Sequence, residues 1–273
     1  MLGLNRAGFR YRAKKPDDSE IQEQLRELAE QQPSWGFKKM FAYLRNQQRV
    51  SWNHKRVYRV YCEMKLNLRV KPKKRLPSRA PKPLEEPEAA NISWSLDFMS
   101  DSLSSGRTMR TLNIIDDYNR EVLWIEIDTS LPSERVVRTL DMIASWRGYP
   151  KQIRLDNGPE LISQKMAQWA EAHDVELAFI QPGKPTQNAY IERFNRTYRE
   201  DVLDAYLFTS LQEAREITEA WIEAYNAVRP HQALGNLSPY QFAAYKAGTS
   251  RRTKYSSSDL GAGLPLDYIP INA

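Results

Sequence analysis

The sequence predicts an α/β protein: a mixed sheet covered by helices on both faces, preceded by a small helical domain. Three observations carry this expectation. Residues 92–128 hold runs with the two-residue period of strands, helical and strand patterns alternate from Pro132 onward, and residues 17–64 hold three short amphipathic stripes. A chain of 273 residues suits about two domains.

Composition narrows the class. The chain is 41% hydrophobic and 27% charged, enough apolar content for a real core. Its one cysteine, Cys62, forms no intrachain disulfide and fits a reducing interior. With only His54, His173 and His231 beside it, and no ligand spacing, a cysteine-built zinc finger is excluded. No apolar run of about 18 residues predicts a membrane span, and Met1 to Pro16 lacks the apolar stretch of a secretory signal. The expected location is the cytoplasm, associated with the nucleoid.

Charge is split along the chain. Residues 1–84 carry 21 Lys/Arg against 7 Asp/Glu, a net of +14, and residues 85–273 carry the remaining 19 against 27, a net of −8. The front third therefore reads as a polyanion-binding module, against the plainer reading of a solvated basic surface and tail.

The elements follow in order. Residues 1–16 are basic, without apolar period, and expected to be flexible. Asp17, Asp18 and Ser19 can cap a helix with the stripe Ile21, Leu25, Leu28, stopped by Pro33. Phe37, Met40, Phe41 and Leu44 mark a second helix, with a turn near Gln47–Ser51. Asn53 is a candidate N-cap for a third, with Val57, Val60, Tyr61 and Met64 inside and His54, Lys55, Arg56 and Arg59 outside. This reads as a helix-turn-helix-like DNA-binding domain over 17–66, with a plain three-helix bundle as the rival. Residues 67–91 form a basic, proline-punctuated linker in which Lys73, Lys74 and Arg75 can track phosphates.

The core is expected over 92–246. Trp94, Leu96 and Phe98 alternate with Ser93, Ser95, Asp97 and Met99, so Asp97 faces away from the apolar side. Ser104-Ser105-Gly106 reads as a hairpin turn. Strands follow over about Met109–Asp116 and Glu121–Asp128, with a turn at Asp117-Tyr118-Asn119. A helix starts at Pro132-Ser133 and ends at Gly148 and Pro150. Next come a strand over Gln152–Asp156, a helix bearing Met166, Trp169, Ala170 and His173, and a strand over Val175–Ile180. Asn188 can cap a helix with the face Ile191, Phe194, Tyr198, Val202, and a further helix spans Leu211–Val228. The polar tail 247–273 is expected to be loose.

Three acids stand out. Asp97 lies mid-strand, a position Asp disfavours; Asp156 ends a strand; Glu192 lies near a helix start, 36 positions after Asp156. Each alone has a plain explanation: Asp156-Asn157-Gly158-Pro159 is a good turn, and an acid in a first helical turn complements the helix dipole. Together they suit a site holding two Mg²⁺ ions, with Mn²⁺ able to substitute, for phosphoryl transfer. Asp97 would bridge the ions, with one more ligand each from Asp156 and Glu192. Asp101, Asp116 and Asp117 are rivals for the first acid, the last two resembling turn formers. Arg196 and Arg199 share the face of Glu192 and suit a DNA backbone, as does Lys184 in the preceding loop, although an ordinary ion pair explains Arg196 equally. His231 is expected to fix a turn.

The order of strands and helices resembles the ribonuclease-H-like fold, in which the first and fourth strands lie side by side. The strings Trp94-Ser-Leu-Asp97-Phe-Met, Leu155-Asp156-Asn-Gly-Pro-Glu160 and Gln181-Pro-Gly-Lys-Pro-Thr-Gln-Asn-Ala-Tyr-Ile-Glu192-Arg-Phe-Asn-Arg196 resemble the OrfB-type transposases of the IS-three family of insertion sequences, within the DDE transposase and retroviral integrase superfamily. The likeness runs from about Pro33 to Tyr245, and Arg229-Pro-His-Gln-Ala-Leu234 and Ser238-Pro239 also look like that family's end. It implies an integrase catalytic core, Mg²⁺ dependence, catalytic residues at Asp97, Asp156 and Glu192, cleavage at element ends and strand transfer by the freed 3′-hydroxyl. It also implies oligomers on double-stranded DNA and a fusion or partnership with an upstream OrfA product. Two departures are conservative: Trp35-Gly36-Phe37 stands where tyrosines are common, and Leu161 follows Glu160 where Phe is common. The sequence leaves open two other readings, a DNA-binding regulator with an idle core and a general nuclease.

Overall fold

The computed structural model describes residues 17–69, 86–181 and 188–252. The expectations for the basic start, for Lys73, Lys74 and Arg75, for Lys184 and for the chain beyond 252 fall outside the described residues.

Helices α1 (Ser19–Gln31), α2 (Phe37–Asn46) and α3 (His54–Glu63) enclose one apolar cluster, with Ile21, Leu25, Leu28, Trp35, Met40, Leu44, Val57, Val60 and Tyr61 buried. The stripes read from sequence are the ones that bury, because i, i+3 and i+4 positions share a helix face. Asn53 caps α3 as expected, its Oδ1 accepting from Lys55 N at 2.8 Å. Asp18 does not cap α1 with its side chain. Its carboxylate instead takes Arg56 Nε at 2.7 Å and Arg59 Nη2 at 2.6 Å, two charge-assisted bonds that outweigh one backbone cap.

The second unit is a five-stranded mixed sheet of β1 (Ser93–Ser102), β2 (Thr108–Asp116), β3 (Val122–Asp128), β4 (Gln152–Leu155) and β5 (Glu176–Phe179), in the order β3-β2-β1-β4-β5. β1 pairs β2 antiparallel and β4 parallel. The β1–β2 hairpin turns at Gly106, whose φ of +82 is the left-handed conformation glycine supplies without strain. Helix α4 (Ser133–Arg147) stops at Gly148, with φ +83, and α5 (Gln164–Ala172) is capped by Ser163 Oγ. Both pack on the face bearing Trp94, Leu96, Leu112 and Ile114.

The opposite face carries α6 (Ala189–Tyr198), a π-helical turn at Arg199–Leu203, and α7 (Leu211–Ala227). Ile191, Phe194, Tyr198 and Val202 bury there against Met109, Ile115, Ile125 and Ile127. Asn188 precedes α6 without a side-chain cap; its amide is turned to the strand and donates to Leu96 O at 3.4 Å. Helix α8 (Pro239–Arg252) carries the chain past the expected 246 boundary, so the stretch up to Arg252 is helix rather than loose tail. Its start explains this: Ser238 Oγ accepts from Gln241 N and Gln241 Oε1 accepts from Ser238 N, a reciprocal cap with Pro239 at the first helical position.

The helical unit docks on the core through polar contacts. Ser34 Oγ donates to Asp201 Oδ1 at 2.7 Å, Asn46 Nδ2 to Asn236 O at 2.8 Å and Gln47 Nε2 to Ala227 O at 3.2 Å. Asp201 also pairs with Arg229, and Val228 joins the helical unit's apolar cluster. His231 fixes the turn before α8, its N donating to Leu237 O and its O accepting from Asn236 N. Among the described residues no helix is long and apolar enough to cross a membrane.

Candidate active site

Parallel pairing brings two of the three acids together. β1 and β4 run in register from Ser93↔Gln152 to Ser95↔Arg154. Continued two residues, that register sets Asp97 beside Asp156, on strands about 4.8 Å apart. Asp97 points to the face that carries α6, opposite Asn113 of β2. Its Oδ1 accepts from Phe98 N at 2.9 Å and its Oδ2 from Asn195 Nδ2 at 2.7 Å. Asn195 is held in turn by Asn113 Nδ2, which donates to Asn195 Oδ1 at 2.7 Å.

Asp156 lies one residue past β4. Its Oδ1 accepts from Gly158 N at 3.0 Å, so the Asn157-Gly158 turn also aims the carboxylate. A Cβ at position 158 would stand 3.0 Å from that oxygen, so a side chain there would press on the Asp156 carboxylate. Asn157 Nδ2 ties the turn to Ile180 O at 3.0 Å, and Glu160 pairs with Arg110 at 2.5 Å.

Glu192 sits in the first turn of α6, exposed, one turn before Asn195. It acts on Asp97 electrostatically: burial first, then the Asp156 charge, push the Asp97 carboxyl up to about 6, with Glu192 adding to the rise and the Phe98 and Asn195 hydrogen bonds opposing it. Among the described residues, no three carboxylate, histidine or cysteine side chains are gathered within ligating distance of a common point. Two acids are aligned, and the third hangs over them on a solvent-facing side chain. The donor set fits a hard divalent cation, being carboxylate oxygen throughout with lone pairs to spare on each group. It also fits because a positive charge there relieves the repulsion that raises Asp97.

The other residues singled out by sequence are distributed as follows. Arg196 is exposed, and among the described residues no ion pair joins it to Glu192. Arg199 donates to Ser100 O at 2.9 Å and lies 3.5 Å from Asp101 and 3.6 Å from Asp204, so Asp101 is engaged by an arginine. Lys55 is exposed. Asn53 spends its Oδ1 on the α3 cap, and His54 packs edge-on against Phe37 and Phe41, ring centroids 5.0 and 4.9 Å away. Arg56 and Arg59 are paired with Asp18, and Arg59 also with Glu63 at 2.8 Å. Asp116 and Asp117 are fully buried and ion-paired, to Arg147 and Arg154 respectively, which is more than turn formation. Sequence reasoning missed Asn195 and Asn113. The available signals were the one-turn spacing from Glu192 and a polar residue within the apolar β2 run.

Two integrase core domain models match residues 87–185 and 173–239, and an HTH-like domain model matches residues 16–75. The insertion element IS407 uncharacterized 31.7 kDa protein of Burkholderia multivorans is 41% identical over 251 residues, covering 92% of this chain and 90% of its own. The IS476 uncharacterized 39.2 kDa protein of Xanthomonas euvesicatoria is 38% identical, covering 89% and 70%. Transposase InsD of Escherichia coli is 25% identical over 86% of this chain and 82% of its own. Among solved structures, the simian T-cell lymphotropic virus intasome in complex with PP2A regulatory subunit B56 gamma shares the fold at TM-score 0.52 and 14% identity, covering 85% of this chain and 79% of that one. Alike in sequence over nine-tenths of its length to insertion-element proteins, the chain belongs to the OrfB-type DDE transposases of the IS-three family, in the retroviral integrase superfamily.

Proposed function

We propose that Asp97, Asp156 and Glu192 are the catalytic acids of this transposase, and that they hold two Mg²⁺ ions, for which Mn²⁺ substitutes, to cleave the element's ends and join the freed 3′-hydroxyl to target DNA. One observation carries this reading: the β1–β4 register aligns Asp97 with Asp156 beneath the helix bearing Glu192, where their charges already act on one another. When bound, such ions lower the pKa of water or a 3′-hydroxyl and neutralise the leaving oxyanion. The protein's part is to fix the acids. The sheet backbone sets Asp97, Asn195 orients its Oδ2, and the Gly158 amide orients Asp156. Glu192, on an exposed first turn, completes the site by swinging toward the strands, a side-chain motion with low cost.

Double-stranded DNA, as element ends and target, is the substrate. Oligomers form on it, and an upstream OrfA product is the expected partner, in the bacterial cytoplasm and nucleoid. On the helical unit the contacts fall to Asn53, His54 and Lys55 at the start of α3, and to Arg56 and Arg59 once phosphate displaces Asp18. Lys73, Lys74, Arg75 and Lys184 are further phosphate contacts, as are Arg196 on α6 and Arg199 just after it. The test is end cleavage and joining on oligonucleotide duplexes with Mg²⁺. Loss of both in Asp97→Asn and in Glu192→Gln supports the assignment, and wild-type joining by either variant refutes it.

A further inference from the structure

The three elements bearing the acids come from distant stretches of chain, yet each meets the turn between β2 and β3, Asp117 to Arg120. Asp117 reaches β1 three times: its N donates to Ser93 O at 2.9 Å, its Oδ2 accepts from Ser93 Oγ at 2.8 Å, and its Oδ1 accepts from Ser95 Oγ at 2.6 Å. It reaches β4 through Arg154 Nη1, 3.2 Å from Oδ2. Ser95 and Arg154 are register partners, and they lie two residues before Asp97 and Asp156 on the same sheet face. At the other end of the turn, the Arg120 guanidinium lies 3.5 Å from the centroid of the Tyr190 ring, two residues before Glu192 in the first turn of α6. Asp117 has no exposed surface, so its charge is tolerated only because these partners meet it.

We infer that the Asp117–Arg120 turn is a positioning bracket: Asp117 sets the spacing of Asp97 and Asp156, and Arg120 sets the start of the helix that carries Glu192. The inference rests on the proposed triad. The same corner holds a built-in comparator. Arg147 pairs with Asp116 and with Glu121, both at 2.9 Å, in a similarly buried network that ties α4 to the sheet; its carboxylates accept from Tyr118 N and Asn119 Nδ2 inside the turn but meet none of Ser93, Ser95, Arg154 or Tyr190. A merely structural role would make the two networks interchangeable.

The test uses the full chain, with Mn²⁺ binding measured by calorimetry without DNA alongside joining kinetics. Asp117→Asn keeps the shape and removes the charge facing Arg154. Arg120→Lys keeps the charge and removes the flat stack on Tyr190. Each is expected to weaken Mn²⁺ binding by about 10–100-fold, as loss of an outer partner of a ligand set does, and to lower kcat with KM for the DNA end unchanged. Ser95→Ala, which removes a single hydrogen bond, is the milder variant if Asp117→Asn does not fold, with a smaller loss in the same direction. Arg147→Gln is expected to lower the melting temperature while keeping wild-type Mn²⁺ affinity. Wild-type Mn²⁺ affinity and kcat in the folded bracket variants, or losses no different from those of Arg147→Gln, overturn the inference. Asp97→Asn separates the two claims. If it loses Mn²⁺ while Asp117→Asn keeps it, the bracket alone falls; if it binds Mn²⁺ like wild type, the triad falls and takes the bracket with it.

Discussion

The ten residues of strand β1 alternate between two faces that serve different ends. Toward α4 and α5, Trp94 and Leu96 are fully buried among Leu112, Ile114, Leu140 and Ile153, a face whose worth is apolar area removed from water. Toward α6 and α7, Ser93, Ser95 and Asp97 are buried or half-buried among Asp117, Asn113 and Asn195, a face whose polar groups are tolerated only through specific partners. Strand alternation lets one element be a stability device on one side and a charge-positioning device on the other, so their failures should separate.

Asp97→Asn breaks the charged face at its centre. Joining should fall by about 10³-fold or more, since ion-mediated charge stabilisation is worth several kcal/mol at ~1.36 kcal/mol per decade. The same change should raise the metal-free protein's stability at pH 8 by about 1–3 kcal/mol, because a buried carboxylate beside like charges is removed. Equilibrium unfolding in chelator checks this. Leu96→Ala breaks the other face. It should cost about 2–5 kcal/mol of stability in the same assay while leaving joining per folded molecule near wild type.

Much of this division was legible in the sequence. The Trp94/Leu96/Phe98 alternation located the apolar face, and Asp97, on the opposite face of the same strand, marked the candidate site. What the sequence could not supply was which distant groups meet. That Asp97 faces Asp156 depends on parallel pairing across some sixty residues. Asp117 reads as a turn former whether or not it also clamps two strands, since both roles favour the same residue. Likewise Arg56 and Arg59 have the helical spacing of a basic outer face, but Asp18, from another helix, meets them. The tail beyond 246 looked polar and loose because composition outweighed the Ser238–Gln241 cap.

The helical unit offers a smaller contrast, between arginines already satisfied and the exposed Lys55. Asp18→Asn removes the charge that meets both Arg56 and Arg59, leaving Arg59 only its exposed Glu63 pair, and so makes both more available to phosphate. DNA binding should tighten, and the slope of log affinity against log salt should steepen by about 0.9 for each new phosphate contact. An unchanged slope would remove that side of α3 from the interface. Asp18 does not cap α1 with its side chain, so far-ultraviolet dichroism should stay as in wild type.

The smallest expected effect concerns the junction of the two units. His231 is half-buried with its ring edge-on to Tyr225, and desolvation of the ring, with the nearby cations Arg229, Lys39, Arg193 and Arg120 adding to it, lowers its pKa to about 3. The unfolded chain binds that proton more readily. Its contribution to stability is therefore complete above the unfolded value of 6.5 and is lost progressively as pH falls toward about 3. The denaturation midpoint should drop below pH 6.5 in wild type and drop less in His231→Asn.

Anomalous diffraction from crystals of the full chain on a cleaved element end, soaked in Mn²⁺, probes the acids themselves. Two peaks bounded by the carboxylates of Asp97, Asp156 and Glu192, with Glu192 swung toward the strands, are the predicted result. Ordered DNA with no peak between Asp97 and Asp156, or with Mn²⁺ held by other residues, would contradict it.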